Sequence, residues 1–211
     1  MLRSLSLSLL CLGLLMAQTP DLKFKGNRFK PLQYAELTPA QKKMADHLMS
    51  GERGAGAGGP FNVMMRSPEI GDLQQQLGAQ VRFHSSLPPK LNEFAIIITG
   101  RYWTSQYEWY AHKSLALKAG LKPAVVDAVA TGKHPAGMDA EEEAVYNFAT
   151  ELLNTKHVSD GTFKTVIAKF GEKGAVDLTS VIGYYQLVCS ILNLDGYPLP
   201  DGAQPELKPL P

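Results

Sequence analysis

The chain has 211 residues, of which 45% are hydrophobic and 19% charged, a composition typical of a globular protein. Its 21 lysines and arginines nearly balance its 20 aspartates and glutamates. The sequence therefore lacks the basic excess with which nucleic-acid-binding proteins neutralise phosphates. We expect small molecules or further copies of the chain as partners, and neither nucleic acid nor an anionic membrane surface.

The N-terminus has the pattern of a secretory signal peptide. Arg3 precedes an apolar run from Leu5 to Met16, and the small residue Ala17 follows this run. The run is shorter than the about 20 apolar residues that a membrane-spanning helix needs. We predict that residues 1–17 are removed on export to the periplasm or the cell exterior, and that the mature protein is not held in a membrane.

Cysteine is scarce in this sequence. Cys11 lies inside the predicted signal peptide, and Cys189 lies in an apolar helical stretch. A mature chain with one cysteine cannot form an intrachain disulfide bond, even in the oxidising compartment that an exported protein reaches. We interpret Cys189 as a buried and unreactive thiol.

Residues 18–50 are predicted to form an irregular arm followed by one helix, which Thr38 caps and Pro39 opens. The glycine-rich segment 51–60 then interrupts any regular structure. It is not followed by Gly-Lys-Ser/Thr, so it is not a phosphate-binding loop of the Walker type. A flexible connection is the favoured interpretation, and a loop that contacts a ligand is the alternative.

The rest of the chain predicts helices from its capping residues and from the spacing of its apolar residues. The run Ile96–Ile98 favours a strand by propensity, but apolar residues at positions 91, 94, 95, 98 and 102 also fit one helical face. A lone strand cannot build a sheet, so we predict an all-α domain of about six to eight helices. The predicted helices after the glycine-rich segment are residues 68–78, 90–102, 104–120, 123–132, 139–154, 159–170 and 172–194.

Ser105, Glu108 and His112 share one face of the helix 104–120, because three and four residues separate them. An acid and a histidine at this spacing usually form a surface ion pair. The neighbouring aromatic residues Tyr107 and Trp109 are more typical of a pocket wall than of a solvated face.

Glu93 and Arg101 place two charges in the preceding helix, which is otherwise strongly apolar. Buried charges are costly unless they are paired, so these two residues indicate either a functional site or a structural ion pair.

Several separate stretches agree, in the same order, with one known family. They are Leu91–Glu93, Ser105–His112 and Leu115–Leu121, with residues 59–63 and 66–69 upstream and residues 182–185, 192–193 and 198–202 downstream. Over residues 51–202 the chain resembles the carboxymuconolactone decarboxylase family, which belongs to the same superfamily as the alkylhydroperoxidase AhpD. The resemblance implies an all-α, AhpD-like domain that assembles into trimers or hexamers, and it leaves residues 203–211 as a tail.

The AhpD-like branch of that superfamily has a glutamate, then a Cys-x-x-Cys motif, then a histidine four residues later. Glu93 and His112 occupy the matching glutamate and histidine positions, whereas Ser105 and Glu108 occupy the cysteine positions. Thiolate attack on a peroxide or a disulfide needs a sulfur nucleophile, which neither replacement supplies. The departure argues against a peroxidase or disulfide reductase that works through this motif.

The resemblance and the residues together predict a cofactor-independent lyase or isomerase that acts on a small carboxylated lactone or an enolisable acid. In this hypothesis His112 donates or accepts the proton, and Glu93 or Glu108 orients its ring. Arg101 anchors a substrate carboxylate. The further substrate-binding candidates are Ser105, Tyr107 and Trp109.

Three alternatives stay open at this point. His112, Glu108 and Glu93 could form a metal site of two carboxylates and one histidine, although no second histidine lies close in the sequence. The protein could be an exported small-molecule-binding protein without turnover. It could also be a peroxidase-related redox protein, which a single mature cysteine disfavours.

Overall fold

The computed structural model describes residues 20–54 and 58–209, so the predicted signal peptide, residues 1–17, lies outside the described residues. Within that part the chain forms eight α-helices and a 3-10 turn at Tyr34–Glu36, and it contains no strand. The predicted all-α fold is confirmed. The helices are α1 (Pro39–Ser50), α2 (Phe61–Met64), α3 (Pro68–Phe83), α4 (Pro89–Tyr102), α5 (Gln106–Lys118), α6 (Pro123–Ala130), α7 (Ala140–Thr155) and α8 (Asp160–Asp195).

Local capping determines where several of these helices begin. The Thr38 side chain accepts a hydrogen bond from the backbone N–H of Gln41, and the Gln41 side chain accepts one from the N–H of Thr38. Asp139 forms the same reciprocal arrangement with Glu142 at the start of α7. Such capping satisfies backbone N–H groups that the first helical turn leaves without partners. Both caps follow from the sequence, and α1 and α7 begin where it predicts.

Helix α4 is the central element of the fold, and it contacts α5, α6, α7 and α8. All residues from Leu91 to Arg101 are buried, including the run Ile96–Ile98. A helix that is covered on all sides needs no polar face, which explains why its sequence also resembles a buried strand. The choice of helix over strand is confirmed.

Helix α8 contains a break at Gly171, whose φ of 68° and ψ of −178° are not helical. The two parts coincide with the two helices predicted at residues 159–170 and 172–194. By length and composition α8 could cross a membrane, with a mean hydropathy of 1.4 over an 18-residue window. Half of that window, 50%, is buried inside the fold, so the helix also contributes to the core.

Helix α3 is longer than the predicted segment 68–78, and three of its apolar residues point away from the core. Its close approach to the rest of the fold depends on glycine, since a Cβ at Gly71 would lie 2.4 Å from the carbonyl oxygen of Met64. Two glycines therefore stand on the inward face, and three apolar residues at helical spacing point outward. The exposed residues are Ile70, Leu73 and Leu77, and the inward residues are Gly71, Gln75, Gly78 and Val81.

Candidate active site

His112 lies between two carboxylates. Its Nδ1 is 2.6 Å from Oε2 of Glu93, and its Nε2 is 2.9 Å from Oε1 of Glu108. All three residues are buried, with exposed fractions of 5% for His112, 9% for Glu93 and 4% for Glu108. An ionised carboxylate only accepts hydrogen bonds, so both ring nitrogens of His112 act as donors and the ring is an imidazolium.

Two adjacent helices position this cluster. Glu108 and His112 are four residues apart on α5, which brings their side chains together on one face. Glu93 lies near the start of the buried helix α4, which packs along α5. The connection between them is tight, because the N–H of Ser105, at the N-cap position of α5, donates to the carbonyl of Gly100 over 2.9 Å.

The two carboxylates determine the charge state of the imidazole. Burial by itself would lower the pKa of His112, because it disfavours the charged ring. The negative charge and the hydrogen bond of Glu108, together with those of Glu93, outweigh this effect and raise the pKa of His112 to about 9. At neutral pH the ring therefore carries a proton on each nitrogen.

A cavity of about 440 Å³ opens against this cluster. Glu108 and His112 line it, whereas Glu93 lies behind the imidazole and does not. The ring of Tyr185 meets the His112 ring edge to face, with 5.0 Å between the centroids. The wall is mixed in character, with the phenols of Tyr107, Tyr184 and Tyr185, the apolar Val188 and the guanidinium groups of Arg53 and Arg82.

The structure brings one of the four predicted substrate-binding residues to this cavity, namely Tyr107, whose ring packs against Tyr197 at 4.4 Å between centroids. Trp109 is buried and donates its indole N–H to Glu206 over 3.1 Å. Ser105 is also fully buried and does not line the cavity. Arg101 lies elsewhere, where it donates to the carbonyl of Lys208 over 2.7 Å and borders a separate cavity of about 120 Å³.

The cavity residues that were not among the sequence-based candidates include Arg53, Arg82, Tyr184 and Tyr185. Arg53 belongs to the glycine-rich segment 51–60, and Gly58, Gly59 and Pro60 of the same segment also line the cavity. The described residues of that segment thus lie where a loop that contacts a ligand would lie, and the two interpretations of the segment stay predictions. The paired tyrosines stood in one of the stretches that carry the family resemblance, but no helical pattern separated them from core residues.

No group of three or more His, Cys, Asp and Glu side chains is arranged to hold a metal ion within residues 20–54 and 58–209. Each ring nitrogen of His112 is already hydrogen-bonded to a carboxylate, so the donor atoms of Glu93, Glu108 and His112 do not converge on a common point. In the alternative metal set these three side chains would need to turn towards one centre.

The thiol of Cys189 is buried, and burial raises the pKa of Cys189 well above its ordinary value. A thiol in this state is a poor nucleophile, because the thiolate is the reactive form.

This geometry can be compared with known proteins. One solved structure, a protein of unknown function from Agrobacterium tumefaciens for which a role as the antioxidant defence protein AhpD has been suggested, is similar with a TM-score of 0.57. The match covers 64% of this chain and 93% of that chain at 16% sequence identity. The fold is AhpD-like. No family model matches the sequence, and no curated protein matches it.

Proposed function

We propose that the protein is a cofactor-independent lyase or isomerase of the carboxymuconolactone decarboxylase type, acting on a small carboxylated lactone or enolisable acid. The observation that carries this proposal is a doubly hydrogen-bonded imidazolium, His112, buried at the wall of a cavity between Glu108 and Glu93. Buried acid–base groups with a raised pKa beside a cavity are the usual signature of a site that moves protons.

The positions of the two carboxylates support different roles for them in this proposal. Glu108 faces the cavity and accepts the Nε2 proton of His112, so these two side chains form the group that exchanges a proton with the substrate. Glu93 accepts the Nδ1 proton from behind and holds the ring in place. Glu93 is thus a positioning residue, and it also stabilises the positive charge of the ring.

In decarboxylation, the bond between the substrate carbon and its carboxylate breaks, and the electron pair moves into the adjacent carbonyl to give an enolate. Carbon dioxide leaves. Glu108 takes the Nε2 proton of His112 and passes it to the carbon, which leaves the imidazole of His112 neutral. A proton from water then restores the imidazolium. In isomerisation, Glu108 instead removes a proton from one carbon and returns it to another.

The tyrosines supply hydrogen-bond donors for the enolate oxygen. Burial raises the pKa of Tyr184 to about 12 and raises that of Tyr185 well above its ordinary value. Both phenols therefore keep their protons at neutral pH, and both line the cavity. Fixed donors aimed at a developing oxyanion are among the strongest contributions that a site can make to catalysis.

The test incubates the protein with a panel of small carboxylated lactones and β-keto acids. NMR follows the release of carbon dioxide and the uptake of deuterium from D2O. We expect His112→Gln to lower turnover by about 100-fold or more. His134→Gln is the matched control, since His134 pairs with Glu143 at the surface over 3.1 Å. Turnover that survives in His112→Gln would refute the acid–base role.

A non-catalytic small-molecule-binding protein is the second candidate. It is favoured by the fact that both nitrogens of His112 are already bonded, as they are in a static buried ion cluster. The same panel separates the two candidate functions, because a non-catalytic binding protein should bind compounds of the panel without turning them over, even when its sequence is unchanged.

Export and self-assembly complete the proposal. The apolar run that ends at Met16, followed by Ala17, supports export, and the family resemblance supports a trimer or hexamer. Intact mass of the secreted protein tests the first, and light scattering tests the second.

A further inference from the structure

The guanidinium group of Arg53 is built into the cavity wall without a hydrogen-bonding partner along one edge. Its Nε and Nη2 atoms are buried, and neither has a partner among the residues that the structure describes. Burying charged N–H groups without an acceptor is costly, so such groups are rare in folded proteins. An acceptor from outside the chain would remove this cost.

These two atoms form one edge of the guanidinium plane. The N–H bonds of Nε and Nη2 point the same way. Such a parallel pair of N–H groups can donate one hydrogen bond to each oxygen of a carboxylate. A single unpartnered N–H could be satisfied by one water molecule. Two parallel N–H groups that are both free match a planar, two-oxygen anion.

Two phenylalanines hold the guanidinium in position. Its central carbon lies 5.2 Å from the ring centre of Phe61 and 5.6 Å from that of Phe83. Both rings line the same cavity as Glu108 and His112. Attraction between a cation and an aromatic face fixes the group without using its N–H donors. The Nε and Nη2 edge has almost no exposed surface, so a ligand reaches it when the side chain shifts slightly towards the cavity.

Because Gly78 has no side chain, the hydroxyl group of Tyr184 and the guanidinium group of Arg53 both approach α3 at this residue. A Cβ at residue 78 would lie 2.1 Å from the hydroxyl oxygen of Tyr184 and 2.8 Å from Nη2 of Arg53. The phenol and the guanidinium therefore converge on the side of α3 where no side chain stands. The charge of Arg53 also acts on this phenol, since it opposes the effect of burial on the pKa of Tyr184.

The nearby carboxylates are already paired with other groups. Glu52 lines the cavity, but its Oε1 lies 2.5 Å from Nε2 of His84. Glu108 is bonded to His112. Arg82 adds a second guanidinium to the same wall. The part of the cavity wall that Arg53 and Arg82 form therefore attracts an anion.

We infer that Arg53, which lies beside the Tyr184 hydroxyl, is the specificity-determining residue that binds a substrate carboxylate through Nε and Nη2. The inference rests on the proposed function for the reaction, but the binding step itself does not depend on it. Arg53 thus takes the role that the sequence assigned to Arg101.

Calorimetric titration of the full chain tests this subsite. The probes are adipate, its monomethyl and dimethyl esters, and inorganic phosphate. We expect adipate to bind, the dimethyl ester to bind at least tenfold more weakly, and phosphate to bind more weakly than adipate. Arg53→Met should weaken adipate binding by about ten- to a hundredfold, the usual effect of losing a charged hydrogen-bonded pair.

Arg53→Lys keeps the charge but loses the two-pronged edge, so it should bind adipate with an affinity between those of the unchanged protein and Arg53→Met. The matched control is Arg66→Met, because the guanidinium of Arg66 also lies over a phenylalanine, Phe29, but does not line the cavity. This control should leave adipate binding unchanged. Circular dichroism of each variant confirms that it is folded.

The outcomes separate this inference from the proposed function. Loss of turnover with retained adipate binding in His112→Gln supports both. Equal adipate affinity in Arg53→Met, Arg53→Lys and the unchanged protein would overturn the subsite and leave the acid–base proposal standing. Binding of phosphate as tight as that of adipate, or no binding of adipate at all, would also overturn it.

Discussion

The two neighbouring carboxylates maintain the positive charge of His112, so the candidate active site also contributes to the stability of the fold. The pKa of this ring rises from 6.5 to about 9 when the chain folds, because Glu108 and Glu93 more than offset the effect of burial. A group whose pKa is higher in the folded state stabilises the fold fully below its unfolded pKa. This contribution is lost as the pH rises through the folded pKa.

We therefore predict that the free energy of unfolding decreases between pH 6.5 and pH 9 by an amount on the order of 3 kcal/mol that belongs to His112. Urea denaturation at a series of pH values measures it. His112→Gln should remove this part of the pH dependence, and the surface control His134→Gln should retain it. Parallel pH profiles for His112→Gln and the unchanged protein would contradict the prediction.

The sequence locates the buried cluster of His112, Glu108 and Glu93 but not the cavity residue Arg53. Spacing of three and four residues is enough to place Glu108 beside His112, and an acid in an apolar segment is enough to mark Glu93. Arg101 lies in the same helix, eight residues after Glu93. At about 100° per residue its side chain leaves the helix about 80° away from that of Glu93, and it contacts the C-terminal segment instead. Arg53 has no periodic neighbours, and its position depends on contacts with Phe61 and Phe83 that only the folded chain provides.

At the scale of the element, helix ends were predictable wherever a local interaction determines them. Thr38 and Asp139 cap their helices through side chains only three residues away. Which side of α3 is buried was not predictable in the same way, because it depends on contacts between helices. Gly71 admits the backbone of α2 and Gly78 admits Tyr184, and these contacts turn the apolar residues of α3 outward.

The break in α8 gives a prediction for a single glycine. Gly171 has a φ of 68° and a ψ of −178°, a conformation that residues with a Cβ rarely adopt. The space around it is open, so Gly171→Ala tests backbone conformation and not packing. We expect this variant to lose on the order of 1–3 kcal/mol of unfolding free energy.

Gly183→Ala is the matched control in the same helix. Gly183 also has open space around it, but its backbone is helical. The control should gain about 0.5–1 kcal/mol, since alanine is the better helix former. Thermal denaturation of both variants gives the comparison. A stabilised Gly171→Ala would mean that α8 is one continuous helix.

At the scale of the whole molecule, the end of the described chain packs back onto the helices that carry the site. Leu207 exchanges two hydrogen bonds with the Gln106 side chain, at 2.7 Å and 3.1 Å. Glu206 accepts from both Trp109 and Lys113 of α5. Residues 206–208 thus bond to α5 and, through Arg101, to α4. No local pattern in a segment expected to be a tail would have indicated this.

Leu207 gives the corresponding prediction, because its side chain is 4% exposed within the hydrophobic core. We expect Leu207→Ala to lower the unfolding free energy by about 2 kcal/mol or more, since truncating a buried leucine loses burial and leaves a cavity. Leu194→Ala is the matched control, with a side chain that is 55% exposed, and it should change stability by less than about 0.5 kcal/mol.

Urea denaturation followed by tryptophan fluorescence is the appropriate measurement, because Trp109 is bonded to the residue next to Leu207. If the C-terminal segment positions α5, Leu207→Ala should also lower the pKa of His112, since looser packing would weaken its pairing with Glu93 on α4. NMR titration of the ring measures that pKa. If Leu207→Ala is destabilised but the pKa of His112 is unchanged, the segment has only a stabilising role. If the stability is also unchanged, the segment does not hold α5 in place.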